Sequence, residues 1–254
     1  MLPRIIAVTF LLAPSFFPLN ARADQRADFL AGRTRACPGC DLSGENFKRH
    51  DLAGADLTGA KLAKATFPDA NLAGAKLAGA DLADANLNKA DLRRADLTGA
   101  KLNRAMLYAA DLDAARLAGA DLTDTLMGTA RFTRTDLTKS ILRNADLRKT
   151  RFADAILTGA DLSGAALDFA LLRAAKLDAA LLSDTRLIEA EFTDASLVGA
   201  DLSDADAAGA NFRGANLTRA NLAGTSFRKA DMYDTVTDGA HFHDTIMPDG
   251  TKQP

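Results

Sequence analysis

Five residues of this chain have types and spacings that could support redox or metal chemistry. Cys37 and Cys40 are its only cysteines and are separated by two residues, a spacing that suits a redox dithiol beside a strand-helix-strand unit. His241 and His243 flank one residue and precede Asp244, so two imidazoles and a carboxylate could approach a metal ion. Whether either group can carry out redox chemistry or bind a metal depends on the secondary structure that surrounds it.

The segment around the cysteines does not provide a redox fold. No strand-helix-strand pattern surrounds Cys37 and Cys40, and zinc usually needs four ligands whereas His50 is the only imidazole nearby. For an exported chain, two interpretations stay open: a disulfide that closes the first corner of the fold, or two buried thiols. Metal or redox binding, through the cysteines or the histidine pair, is kept as an alternative.

The rest of the chain has no arrangement of residues suited to catalysis. It contains three histidines, no tryptophan, and no serine or cysteine with a base at a fixed spacing. Aspartates are frequent, but they recur at outward positions where they serve solubility. We therefore predict a protein that is not an enzyme, with no catalytic residues, no metal site and no cofactor.

A five-residue period dominates the sequence, as in the segment 55–59. A large apolar residue, called the centre below, recurs at every fifth position from Leu42 to Met247. Of these 42 centres, only Ala207 and Thr237 are not Leu, Phe or Met. A small residue, mostly Ala, stands two places before nearly every centre, and the other three places are mostly polar, charged or Gly.

A period of five excludes ordinary secondary structure. In an α-helix five residues turn about 500°, so the centres would not form a stripe. In a flat strand five is odd, so successive centres would point to opposite faces. All centres point inward only if the chain turns a corner after each unit, and four such sides close a square coil of 20 residues.

Two patterns at a spacing of 20 support four units per coil. Phenylalanine centres repeat on one predicted side, and charged residues before the centres alternate in sign along two columns. Stacked about 4.8 Å apart, the alternating charges would form ladders of opposite charge. The phenylalanines are Phe132, Phe152, Phe192 and Phe212; the columns are Asp41, Lys61, Asp81, Lys101, Asp121 and Asp56, Lys76, Asp96, Arg116, Asp136.

Units such as Ala80-Asp81-Leu82 and Ala85-Asn86-Leu87 resemble those of the pentapeptide-repeat proteins. The resemblance implies an all-β fold, a right-handed quadrilateral parallel β-helix (solenoid) of about ten square coils of four five-residue units. It also implies that the centre and the small residue lie inside. Some members of that family resemble duplex DNA in size and charge and bind topoisomerase.

The two ends differ from the repeats. Residues 1–23 carry Arg4, an apolar run and a small-x-small site at Ala21-Arg22-Ala23, which predicts a cleaved signal peptide. Removing it leaves 29 basic and 33 acidic residues, with no membrane span in the mature chain and a periplasmic or secreted location. The remaining boundaries are 24–36 for an N-terminal capping segment, 37–249 for the β-helix and 250–254 for a C-terminal tail.

The outer faces are predicted to differ. The side that bears Leu57 has small residues after its centres, whereas the side that bears Leu107 and Leu167 carries large apolar residues that should point outward. Contiguous exposed apolar residues suggest a partner or dimer surface. The residues of this possible interaction surface are Met106, Tyr108, Leu126, Phe169 and Ile188.

A filled coil offers no internal pocket, so function must use its outside or its ends. The sequence therefore predicts a rigid exported rod, a structural or protein-interaction module with an unidentified protein partner. A homo-oligomer is possible. A DNA mimic that binds topoisomerase is an alternative, but it needs a continuous negative surface, and here Lys and Arg alternate with Asp. No nucleic acid partner is expected.

Overall fold

The structure is a computed structural model that describes residues 19–253. It begins with one α-helix, α1 (Leu19–Leu30), and continues as a coil without further helices in the described residues. The predicted signal peptide, 1–23, lies outside the described residues except for 19–23, which belong to α1. Its cleavage stays a prediction.

The chain pairs with itself at a constant step of 20 residues. Parallel β-bridges link each residue before a centre to the equivalent residue one coil later, from Ala36↔Asp56 to Ser226↔Ile246. Four five-residue units therefore make one coil, as the sequence predicts. Pairing is limited to one residue per side, because two of every five residues form the corner. We number the sides by their first centres: Leu42 for side 1, Phe47 for side 2, Leu52 for side 3 and Leu57 for side 4.

One unit, 81–85, shows how all five backbone N–H groups are satisfied. The N–H groups of Asp81, Leu82 and Asp84 donate to carbonyls of neighbouring coils at 2.7–3.1 Å, and that of Ala85 closes the turn onto Leu82 at 3.0 Å. The N–H of Ala83 has no backbone acceptor, and the Asp81 carboxylate accepts it at 3.1 Å. This explains the Asp or Asn before so many centres, because an unpaired backbone donor is costly.

Every corner needs a left-handed residue. The second residue after each centre has a positive φ from Gly39 to Asp244, whether or not it is glycine. The φ is 58° at Asp84 and 62° at the β-branched Thr129. Glycine fills this place at Gly59, Gly79 and Gly99 on side 4, but the turn type is the same on all four sides. An ordinary residue in this region costs roughly 1 kcal/mol or more, so the ladder holds the corners in place.

The interior is a continuous apolar column. Nearly every centre from Leu42 to Phe227 is fully buried together with its preceding small residue. Phenylalanines of successive coils stack on the predicted wall, with ring centroids 4.9 Å apart for Phe132 and Phe152 and 4.7 Å apart for Phe192 and Phe212. Where Thr or Ser replaces the small Ala, its hydroxyl donates to a backbone carbonyl, as Thr125 does to Leu122 at 2.7 Å.

The N-terminal end of the column is covered by α1. Phe29 is buried and packs edge-on against Phe47, with centroids 6.0 Å apart. Arg26 fixes the helix to the first coil by donating to the Asp41 carbonyl at 2.8 Å and by pairing with Glu45. Apolar side chains of the first coil are thereby shielded from water, as a solenoid end requires.

The C-terminal end is closed by the chain turning back. An antiparallel bridge joins Ile246 to Lys252, and the N–H of Gln253 donates to the Thr245 carbonyl at 2.8 Å. Lys252 also pairs with Asp244 at 2.8 Å. Residues of the tail are therefore hydrogen-bonded to the last coil, which the sequence did not indicate.

The predicted charge ladders are only partly formed. In one column Lys76 lies 3.8 Å from Asp56, and Arg116 pairs with Asp96. The column that begins at Asp41 makes no ion pair within 4.0 Å in the described residues, because its lysines extend into solvent instead. On side 3, like charges occupy neighbouring coils, as in the bridge Asp91↔Asp111.

Candidate interaction surface

All five residues of the predicted interaction surface lie on side 2. Tyr108, Leu126 and Phe169 are exposed by 53%, 51% and 44%, while Met106 and Ile188 are half-buried. Met106 and Leu126 are bridged neighbours in successive coils. The structure therefore places these residues outward, in two groups along the rod.

A shallow groove of about 590 Å³ joins the two groups. Tyr108 lies at one end with its ring over Gly128, where an added Cβ would be only 3.6 Å from the ring. Phe169 and Ile188 lie at the other end. Met106 and Leu126 do not line the groove. Side 2 thus has aromatic walls separated by polar residues rather than one apolar patch.

The floor of the groove contains a buried carboxylate that the sequence reading missed. Asp168 is only 3% exposed, and its Oδ2 accepts from Arg186 at 2.7 Å, whereas its Oδ1 has no hydrogen-bond partner in the described structure. At equivalent places Asp113 and Asp178 accept the backbone N–H of the residue 20 positions later. An Asp directly after a centre was the signal that could have found it.

Cationic side chains surround this carboxylate. Arg148 donates two hydrogen bonds to Asp146, at 2.7 and 2.6 Å, and this contact lowers the pKa of the Asp146 carboxyl. The Lys149 ammonium lies 5.9 Å from the centroid of the Phe169 ring, within cation–π range. The groove can therefore hold polar and aromatic groups together, a composition common in protein-binding surfaces.

Side 3 carries a second, more polar groove of about 790 Å³. Arg93 pairs with Asp91 at 2.5 Å, and Arg131 pairs with Asp113 at 2.6 Å. The Asp91 contact raises the pKa of the Arg93 guanidinium, so this residue stays charged. Most of the charge in this groove is already paired within the chain.

The residues considered for redox or metal chemistry lie at opposite ends of the coil. Cys37 and Cys40 are both buried and form a disulfide, with their Cα atoms 5.4 Å apart. The His241 and His243 rings are 6.4 Å apart at the C-terminal end. Within residues 19–253, no three His, Cys, Asp or Glu side chains come together as potential metal ligands.

No helix within the described residues has the length and apolar character needed to cross a bilayer.

Comparison with known proteins identifies relatives by sequence and by fold. HetL, a pentapeptide repeat protein involved in heterocyst differentiation regulation from the cyanobacterium Nostoc sp. strain PCC 7120, is 33% identical with a TM-score of 0.50. That match covers 91% of this chain and 98% of HetL. A pentapeptide repeat protein of the Arabidopsis thaliana thylakoid lumen is 30% identical, with a TM-score of 0.31, over 47% of this chain and 70% of its own.

The comparison with curated proteins finds no match. The family model of pentapeptide repeats matches in eight copies, which together cover residues 39–128 and 130–234. Together with the 20-residue register, the buried centres and the similarity to HetL, this match covers most of the described coil. The chain belongs to the pentapeptide-repeat family.

Proposed function

We propose that this protein is an exported, non-enzymatic rod of about ten right-handed coils that binds a macromolecular partner through side 2. The supporting observation is the filled interior: the centres from Leu42 to Phe227 leave binding to the outer surface. Family membership supports the same conclusion, because pentapeptide-repeat proteins are typically interaction modules.

Side 2 is the favoured face because it combines exposed aromatic residues with paired charges. Aromatic and arginine side chains are enriched where proteins bind one another. Tyr108 and Phe169 stand at opposite ends of the groove, with Arg148 and Asp146 between them. Side 4, by contrast, presents small residues such as Thr98 and Gly99, which offer less area for an anchor.

The export proposal rests on the signal-like residues 1–23. If it is correct, the mature protein from a periplasmic or secreted fraction begins at Asp24, which N-terminal sequencing would detect. A chain recovered in the cytoplasm with Met1 still present would contradict export without affecting the interaction proposal.

A photoreactive amino acid at Tyr108 tests the partner proposal in cells. We expect one dominant crosslinked protein from position 108 and none from the matched control position Thr98, which is exposed on side 4. Mass spectrometry of the adduct then identifies the partner. Equal labelling from both positions, or no protein adduct from position 108, would contradict binding through side 2.

The DNA-mimic alternative is less well supported by the charges. Such a mimic needs a continuous negative surface, whereas residues 131–151 carry seven basic and only two acidic side chains. This segment makes one full coil, so its basic side chains form a positive belt that would interrupt a negative surface on all four sides.

A further inference from the structure

The charges of the rod are strongly separated along its length. Residues 131–151 carry seven basic and two acidic side chains, whereas residues 178–206 carry eight acidic and one basic. At 20 residues per coil, the middles of these segments are about two and a half coils apart, or roughly 12 Å at the spacing of paired strands. Between them lies a coil with exposed apolar residues.

The separation is sharpest at the edge where side 2 meets side 3. One column there runs Lys149, Phe169, Glu189 in successive coils, at corner positions 20 residues apart. The adjoining column runs Arg151, Leu171, Glu191, and β-bridges link Arg151 to Leu171 and Leu171 to Glu191. Each column therefore reads positive, apolar, negative along the rod.

The apolar middle of this edge is open to solvent. Phe169 is 44% exposed and Leu171 is 42% exposed. Lys149 and Glu189 are exposed as well, and the Lys149 ammonium reaches over the Phe169 ring. The four charged residues of the edge, Lys149, Arg151, Glu189 and Glu191, form no ion pair within the described residues. The edge therefore retains charge and apolar area for an external contact.

We propose that this edge pairs with the same edge of a second copy of the chain, in an antiparallel dimer. A twofold axis perpendicular to the rod reverses the direction of each column, so that each column faces the same column of the second copy in the opposite direction. With the axis at Phe169 and Leu171, these residues meet their own copies. Lys149 and Arg151 then face Glu189 and Glu191 of the second copy, on both sides of the axis.

A parallel arrangement of the same edges would bring like charges together. In a parallel dimer, whose twofold axis runs along the rods, Lys149 faces Arg151 of the second copy, and Glu189 faces Glu191 in the same way. The separation of charge along the whole rod favours the antiparallel arrangement in the same way, because the positive coil of one copy then lies beside the negative coils of the other. Charge complementarity thus selects both the partner and its orientation.

A third column on side 2 is consistent with this axis. Asp146, Ala166 and Arg186 occupy successive coils, so Asp146 would face Arg186 of the second copy across a small central residue. Both side chains already have partners in their own chain, Arg148 and Asp168. We therefore expect this column to add less than the two at the edge.

The dimer is expected to be weak and sensitive to salt. Exposed ion pairs contribute little individually and are screened at high ionic strength. The inference does not depend on the proposed function, although a dimer would cover the Phe169 end of the groove and leave Tyr108 free. Sedimentation equilibrium of the protein purified after expression of the full chain measures the association at low and high salt.

Charge reversal tests the pairing. The double variant Lys149→Glu/Arg151→Glu and the double variant Glu189→Lys/Glu191→Lys should each weaken the dimer by about tenfold or more, because each creates repulsion across the axis. The four-residue swap has the wild-type net charge and should restore association. A wild type that is monomeric at low salt, or a swap that stays as weak as the doubles, would overturn the proposal. Circular dichroism checks that all variants are folded.

A cysteine placed on the axis gives an independent readout. Leu171→Cys should form an intermolecular disulfide under mild oxidation, because the two Cα atoms meet across the axis. Leu181→Cys is the matched control, since Leu181 is 43% exposed but lies on side 1. Faster crosslinking at 171 than at 181 supports the dimer, and equal rates or no crosslink at 171 would reject it.

Discussion

The two ends of the rod are built from the same repeat but are closed to different extents. At the N-terminal end, Phe29 of α1 covers the column and the first centres, Leu42 and Phe47, are almost inaccessible. At the C-terminal end, the centres Met232 and Phe242 are only partly buried although the tail folds back. A helix with an aromatic anchor thus shields a coil better than a short antiparallel turn.

The difference shows how stability is distributed in a linear fold. Each coil contacts only its neighbours, so a coil with one neighbour has about half the packing of an internal coil. We expect local opening to begin at the C-terminal end and to be rare at the N-terminal end. Mutations that act on the middle and on either end can test this order.

The largest effect is expected from a charge in the middle of the column. Leu137→Asp places a carboxylate at a position that is 0% exposed, between two further coils, and should abolish cooperative folding at 25 °C. Met232→Asp puts the same group at a half-buried centre in the last coil, where water can reach it, and should cost about 1–2 kcal/mol. Urea unfolding followed by circular dichroism measures both. Similar losses would mean that the ends are packed as tightly as the middle.

The second-largest effect should distinguish the N-terminal closure of the rod from the C-terminal one. Phe29→Ala removes a buried ring from the contact with Phe47 and should destabilise the N-terminal end by about 3 kcal/mol. Phe242→Ala removes a ring that is already partly hydrated and should cost about 1 kcal/mol. Amide hydrogen exchange of the first and last coils locates each loss. If Phe29→Ala opened the C-terminal coils instead, α1 would not be the N-terminal cover.

The disulfide adds a constraint that only the N-terminal end has. A loop closed between Cys37 and Cys40 restricts four residues of the unfolded chain, which corresponds to about 2 kcal/mol by the chain-entropy relation. Cys37→Ala/Cys40→Ala should therefore lower the free energy of unfolding by about that amount. A reducing agent should produce a similar shift in the wild type and none in the double variant. A wild type unaffected by reductant would show that the bond is absent in solution.

The register of the fold could be read from the sequence because it depends on side chains that repeat. An apolar residue at every fifth place allows one solution in which all centres are inside, and Phe132 and Phe152 stack as that solution requires. The five outward residues of side 2 follow from the same register. Position relative to the centre is therefore enough to say which way a side chain points.

The finer structure of the site depended on rotamers and contacts between coils, which a period does not specify. Asp168 shares its place directly after a centre with Asp113 and Asp178, but that place does not reveal that Arg186, 18 residues away, lies over it and buries it. Likewise, Asp41 and Lys61 alternate in sign as a ladder should, but the lysine ammonium does not reach the carboxylate. Long side chains choose among several partners, so alternation alone predicts few ion pairs.

The smallest expected effect concerns the ion pair that holds the C-terminal tail. The contact with Lys252 lowers the pKa of the Asp244 carboxyl, so the folded tail binds its proton less readily than the unfolded one. The stabilisation from this pair is therefore complete above the ordinary carboxyl pKa and is lost as the pH falls through the lower folded value. NMR titration should give a depressed pKa for Asp244 in the wild type and an ordinary one in Lys252→Ala. Asp51, whose carboxyl pKa is lowered by its contact with Arg35 near the other end, is the internal control and should titrate alike in both proteins. An Asp244 pKa that is the same in both proteins would mean that the tail does not stay on the last coil, and that this end is closed less firmly than the bridge between Ile246 and Lys252 implies.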